Sequence, residues 1–263
     1  MGKKRAMSSA QASYVKRKGH ADAREFAELL GLGKEYNYDL TAKKDVIDSE
    51  GHSYSVKSGQ KKWQIFLYGR HRFQEDYTFR GMNGLGDLFL KCIDSFPEKR
   101  EEYLKNKSLY KNLLKENMRE LCRKLREKRV LAAFIDKSMF NSGEVDFLVI
   151  KYQDKFHIFS GKEVVKVLSE NFEVENSKAR AKNQMDDQKV VFKLQGKTCG
   201  EIEMRNDSER HYRQIKFWLG KNMTFDLLKT KIRQFEKYNE KIIIYGEAIK
   251  PLLKLKKKLL KNF

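Results

Sequence analysis

The sequence predicts an α/β protein built on a mixed central β-sheet flanked by helices, with a helical insert. Three observations predict it. Strand-like runs occur on both sides of a long charge-rich helical block, and helical periodicity brackets them at both ends. The run Lys241-Ile242-Ile243-Ile244-Tyr245 has the look of a fully buried strand. Hydrophobic residues make up 40% and aromatic residues 12% of 263 residues, enough for a substantial core, and only two prolines interrupt it. A single domain is expected over residues 20–263, behind a basic N-terminal arm at 1–19.

The elements follow in chain order. From residue 21 to 30, Phe26, Leu29 and Leu30 share one helical stripe, and Gly31 and Gly33 end it. Residues 44–59 read as two short strands joined by a turn at Ser49-Glu50-Gly51. Residues 62–73 carry Trp63, Ile65, Phe66, Leu67 and Tyr68, a dense apolar run expected to form a helix packed on the sheet. The helical insert lies near 82–129, where charge runs such as Glu101-Glu102-Tyr103-Leu104-Lys105 belong to a solvated face. Strands are expected at 144–150, 155–159, 189–194, 200–205 and 212–219. A helix is expected at 225–238, the buried strand at 241–245, and a basic amphipathic helix from 249 onward. No repeat appears, and no Pro/Gly/Ser-rich linker marks a boundary.

Charge narrows the partner. There are 56 Lys+Arg against 36 Asp+Glu, a formal net charge of +20, with an isoelectric point near 9.7. Solubility needs far less, so a polyanion is the expected partner. A membrane surface is disfavoured. No long apolar run stands out, and Met1-Gly2-Lys3-Lys4-Arg5 is not followed by the apolar stretch of a signal peptide. That leaves nucleic acid. Cys92, Cys122 and Cys199 are widely spaced and odd in number, which suits reduced thiols in a cytoplasmic protein and gives no zinc site. The five histidines show no ligand spacing, and no nucleotide cofactor is expected.

The hairpin carries the chemistry. Alternate side chains of a strand share a face, so Ser53, Ser55 and Lys57 point one way and Tyr54 and Val56 the other. Asp45, at the start of the partner strand, reaches the same point. An acid facing a lysine across a hairpin in a basic chain points to metal-dependent cutting of nucleic acid. A hard cation on oxygen ligands polarises the phosphate and lowers the pKa of an attacking water. A nearby lysine orients that water or offsets developing charge.

Asp45 and the tripeptide Ser55-Val56-Lys57 resemble the core motif of the PD-(D/E)xK nuclease superfamily, and within it the type II restriction endonucleases. Upstream, Arg17-Lys18-Gly19-His20-Ala21-Asp22-Ala23-Arg24-Glu25-Phe26 is similar to the acid-bearing helix that opens the nuclease core of archaeal-type junction resolvases. Residues 55–73 and 200–208 also look like restriction-enzyme sequence. The resemblance implies a restriction-endonuclease-like core and a Mg²⁺-dependent cut of double-stranded DNA that leaves 5′-phosphate ends. It makes Asp45 a metal ligand and Lys57 the residue that assists water. Two positions depart from the pattern: Lys44 stands where proline precedes the first acid, and Ser55 replaces the second acid. Glu25 is the expected source of the missing carboxylate, with Asp22 and Asp48 as lesser candidates. A rival acid–lysine pair, Asp146 with Lys162, sits on the strands near 144–159 and is read as structural or as part of DNA recognition.

Sequence readout needs Arg or Lys for guanine and Asn or Gln for adenine. A recognition part is expected near 170–220, where two polar clusters have that chemistry. One contains Lys178, Arg180, Lys182, Asn183 and Gln184; the other contains Arg205, Asn206, Arg210, Arg213 and Gln214. Lys61, Lys62, Gln64, Arg70 and Arg72 follow the catalytic strand and are expected to lie along DNA, the cations on phosphates. Lys254, Lys256, Lys257, Lys258 and Lys261 are read as a solvated helix face. A palindromic target would suit a homodimer. Two alternatives stand beside the restriction enzyme: a non-catalytic DNA-binding protein on a degenerate nuclease fold, and a structure-selective junction or repair nuclease.

Overall fold

The computed structural model describes residues 9–34, 36–182 and 184–261. The chain runs α1 (Ser9–Leu30), β1 (Asn37–Asp39), β2 (Lys44–Ile47), β3 (Ser53–Lys57), β4 (Lys62–Tyr68), α2 (Arg70–Glu75), α3 (Tyr77–Arg80), α4 (Leu85–Asp94), α5 (Arg100–Lys105), α6 (Lys107–Leu125), α7 (Lys128–Phe140), β5 (Phe147–Tyr152) and β6 (Lys155–Ser160). It continues through α8 (Gly161–Asn171), β7 (Glu173–Asn176), β8 (Lys189–Leu194), β9 (Lys197–Met204), β10 (Ile215–Gly220), α9 (Lys221–Lys231), β11 (Phe235–Lys237), β12 (Ile242–Tyr245), a 3₁₀ turn at Gly246–Ala248, and α10 (Ile249–Lys261). The α/β class with a mixed sheet and flanking helices is borne out.

The chain gathers into two compact units. The first holds residues 1–60, 143–164 and 229–263, and the second holds 61–142 and 165–228. Their sheets are separate, so each unit has its own core.

The first unit is built on a seven-stranded sheet of order β1-β2-β3-β5-β6-β12-β11. β3 pairs with β5 and β6 with β12 in parallel, and the other neighbours are antiparallel. Alternation builds its core. Val46, Tyr54, Phe147, Val149, Phe156, Ile158, Ile242 and Ile244 are buried together under Ala23, Phe26, Ala27 and Leu30 of α1 and Ile249, Leu252 and Leu255 of α10. Phe26 sits edge-on to Tyr54, with ring centroids 5.4 Å apart. α1 ends as its glycine predicts. The Gly31 N–H reaches the Glu28 carbonyl and the Leu32 N–H the Ala27 carbonyl, both at 3.0 Å, with Gly31 at φ 92°. That is a Schellman cap. α1 also starts earlier than expected: residues from Ser9 are helical where the basic arm was placed, and residues 1–8 lie outside the described set.

The second unit is a five-stranded antiparallel sheet, β4-β10-β9-β8-β7, with α2 to α7 in its sequence. Phe66, Phe73, Phe79, Phe89, Phe134, Phe192 and Phe217 form a connected ring cluster. The helix expected at 62–73 is a strand followed by a short helix. Lys62, Trp63, Gln64 and Ile65 alternate between exposed and buried, and the pairing with β10 slips between Phe217 and Trp218. The slip turns both Ile65 and Phe66 inward. The resulting unbroken apolar run hides the period of two. The helix expected at 225–238 is likewise α9 and then the edge strand β11.

Candidate active site on the first hairpin

The hairpin is fixed before it is functional. Asp48 closes its turn: Oδ1 accepts from the Glu50 N–H at 2.8 Å and the His52 N–H at 3.0 Å, and Oδ2 accepts from the Tyr54 hydroxyl at 2.6 Å. His52 Nδ1 lies 3.0 Å from the same Oδ2. Burial, then the Asp48 charge, push the Tyr54 phenol well above its ordinary pKa, so it stays a proton donor. Asp48 is therefore a turn residue, held 4% exposed. At the base, Asp146 Oδ2 accepts from the Ser53 N–H at 2.8 Å and the Ser53 hydroxyl at 2.9 Å. Asp146 thus ties β3 to the start of β5. Lys162 is exposed at the start of α8.

At the open end three of the expected residues meet. Lys57 Nζ donates to Ser55 Oγ at 2.7 Å, and Ser55 Oγ lies 3.4 Å from Asp45 Oδ2. The same Asp45 oxygen accepts from the Val56 N–H at 2.7 Å. Ser55 is fully buried while Asp45 and Lys57 are half-buried. Asp45 and Lys57 line a cavity of about 660 Å³. Its other walls are Val15, Gly19, His20, Ala23 and Arg24 of α1, then Tyr36, Tyr38 and Leu40, with Val56. Burial pushes the Tyr36 phenol up; Arg24 pulls it down, and Asp45 pushes in the same direction as burial.

Glu25 is not brought to this cavity. It lies five residues, about 140° of helix, from His20. Its Oε2 is 2.5 Å from Lys151 Nζ, which also holds Asp22 Oδ1 at 2.8 Å. Burial alone would depress the Lys151 pKa, but the two carboxylates outweigh it and leave it raised. Among the described residues, then, no second acid joins Asp45 at the cavity, and Ser55 stands at the motif position of the missing one. Among the described residues no group of three or more His, Cys, Asp or Glu side chains is arranged to hold a metal ion. The oxygens at hand are the Asp45 carboxylate and the Ser55 hydroxyl. Of these, the Asp45 carboxylate lines the cavity, while the Ser55 hydroxyl is buried and engaged by Lys57; one carboxylate suits a Mg²⁺ shared with a substrate phosphate and forms no all-protein cage. His20, Arg24, Tyr36 and Tyr38 were not assigned from sequence. The i, i+4 pair His20/Arg24 and the i, i+2 pair Tyr36/Tyr38 are each a visible pattern, but nothing in their spacing ties them to Asp45.

The expected recognition residues fall in the second unit, where a cavity of about 460 Å³ is lined by Lys178, Arg180, Gln184, Lys189, Lys193 and Asn206, among others. Lys182 is exposed beside it, and Asn183 lies outside the described residues. Lys189 sits between Glu201 at 3.0 Å and Glu203 at 2.8 Å. Lys61 and Lys62 line a neighbouring cavity of about 340 Å³, with Lys62 Nζ over the Trp218 ring, and Gln64 is exposed on β4. Several of the residues expected to contact DNA, at bases or at phosphates, are engaged internally. Arg205 is paired to Asp207 through two hydrogen bonds of 2.8 and 2.6 Å, and Arg213 and Arg70 share Asp94. Arg72 meets Asp76 at 3.3 Å, Asn206 bonds the Tyr103 hydroxyl at 2.8 Å, and Gln214 faces His211 at 2.9 Å. Arg210 is exposed.

The three cysteines are buried, and burial pushes each thiol up, so none is an activated nucleophile. No described helix is long and apolar enough to cross a membrane. Neither a protein-family model, nor a curated protein, nor a solved structure matches this chain.

Proposed function

We propose that this protein is a sequence-specific, Mg²⁺-dependent endonuclease of double-stranded DNA, with its cutting site on the first hairpin. One observation carries the proposal: Asp45, Ser55 and Lys57 form a hydrogen-bonded row that opens into a cavity bearing Arg24, in a chain of net charge +20. Asp45 would hold the Mg²⁺ at the cavity, and the ion when bound would supply charge to the phosphate and an acidified water.

The protein's own groups have separate tasks. Arg24 holds the phosphodiester through a charge-assisted bond. Ser55 fixes the Lys57 ammonium, which orients the attacking water and offsets the charge that builds on the phosphate oxygens. The water oxygen bonds to phosphorus, the bond to the 3′-oxygen breaks, and that oxygen takes up a proton, leaving a 5′-phosphate. Reading of sequence would fall to the second unit, where Lys178, Arg180 and Gln184 offer donors and acceptors. A palindromic target would be met by a homodimer.

The second reading is a DNA-binding protein that does not cut. Among the described residues the cavity is lined by one carboxylate, Asp45, which favours it. Incubation of the purified chain with linear DNA of known sequence and Mg²⁺ separates the two. Discrete fragments with 5′-phosphate ends are the expected outcome. A smear makes the enzyme a non-specific nuclease. Intact DNA with salt-sensitive binding favours the binding protein.

A further inference from the structure

The cavity rim has a feature that phosphate chemistry does not use. Tyr38 is 62% exposed, and Leu40 and Val15 are each 50% exposed, yet all three line the same cavity as Asp45 and Lys57. An exposed aromatic ring lining a cavity that also holds cations is a place where a flat ligand can lie. The Tyr36 and Tyr38 rings lie 6.1 Å apart at 57°, so they do not cover each other face to face. Tyr36 is half-buried in the wall, and the exposed Tyr38 lines the same cavity as two cations, Arg24 and Lys57.

A nucleotide matches this arrangement: an anionic phosphate for the cations and a flat π-face for the tyrosine. A cavity of about 660 Å³ lies within the roughly 300–1,000 Å³ of small-ligand sites. Bases within a duplex already have both faces covered by their neighbours, so only an unpaired or displaced base can lie on Tyr38. We propose that the cleft holds a stacking subsite, in which Tyr38 takes the face of an unpaired nucleobase next to the phosphate held by Arg24 and Lys57. The proposal rests on the cleft being a nucleic-acid site and adds that a base beside the bound phosphate leaves its stack, at a cost that is least where the base is already unpaired.

The test measures binding of the full chain in chelator, so that no cutting intervenes. Three fluorescein-labelled oligodeoxynucleotides of one sequence are compared: single-stranded, fully paired, and paired except for one unpaired base. A matching set carries 2-aminopurine at that base. The expected result is tighter binding of the single-stranded and unpaired forms, with 2-aminopurine emission quenched by stacking. Tyr38→Ala should weaken those two by roughly tenfold and leave the paired duplex unchanged, while Tyr38→Phe keeps the preference. Tyr38 is exposed on a three-residue edge strand, so far-ultraviolet circular dichroism should show both variants folded. Equal affinities of Tyr38→Ala and the unaltered chain for all three DNAs would overturn the subsite, as would unquenched 2-aminopurine. The two proposals fail separately. Normal cleavage with no Tyr38 dependence removes the subsite and leaves the nuclease. Tyr38-dependent binding with no cleavage in Mg²⁺ removes the nuclease and leaves the subsite.

Discussion

Single residues divide into those that hold the site and those that would act in it. Asp48 and Asp146 were both candidates on sequence, because a carboxylate near a hairpin looks the same whether it binds a cation or caps backbone N–H groups. Only the partners separate the cases. Asp48 is consumed by its turn and Asp146 by Ser53, whereas Asp45 opens on the cavity. Glu25 was unreadable for the same reason: its partner, Lys151, is far along the chain. Glu25→Ala should therefore leave cleavage intact and lower stability only slightly, because its side chain is 35% exposed. Asp22→Ala should cost more, about 3 kcal/mol by chemical denaturation, because a side chain 7% exposed leaves Lys151 short of a partner. Acid should act through Asp76. Burial raises its pKa, but the Lys137 ammonium at 2.8 Å and the Thr78 bonds outweigh it and hold it below the ordinary 3.8. A depressed carboxylate stabilises the fold above its unfolded pKa and loses that contribution as pH falls through the folded one. Asp76→Asn should thus lower stability at neutral pH and flatten the loss below about 3.8. Equal slopes of unfolding free energy against pH in both proteins would count against this.

At the scale of elements, legibility followed periodicity. The terminal stripe of α1, the two hairpin strands, β12 and α10 were readable because each has a clear period and an end signal such as Gly31. β4 was not. Its slip against β10 puts Ile65 and Phe66 side by side in the core, and no local rule announces a bulge. The start of α1 was missed because Tyr14, Val15, Arg17, Lys18 and His20 are exposed and give no apolar stripe. The buried half of α1 holds the helix against the sheet through Phe26, which touches both Tyr54 and Phe156. Phe26→Ala should cost about 3–5 kcal/mol. Because Arg24 rides on the same helix, cleavage and stability should fall together in this variant, unlike Lys57→Ala, which should lose cleavage alone. Thermal melts and cleavage rates on both proteins check the contrast.

For the whole molecule, charge was the most legible property and architecture the least. A net charge of +20 is a sum over the chain and needs no fold to read. Division into two units depends on which strands pair, and the first unit is assembled from three separated stretches. Sequence order therefore hid that the hairpin and the polar clusters after residue 176 belong to different units. Binding of the whole chain to DNA should weaken linearly in log salt, with the slope counting the phosphates neutralised. Lys61→Ala should reduce that slope by about one without changing the cutting chemistry. The central claim is that Asp45, Ser55 and Lys57 form the cutting centre, and not Asp146 with Lys162. One measurement reaches it directly: cleavage of one linear DNA in Mg²⁺ by the unaltered chain, Lys57→Ala and Lys162→Ala, each verified as folded. The account predicts discrete fragments from the first and third proteins and intact DNA from Lys57→Ala. Normal cutting by Lys57→Ala together with a dead Lys162→Ala would contradict it.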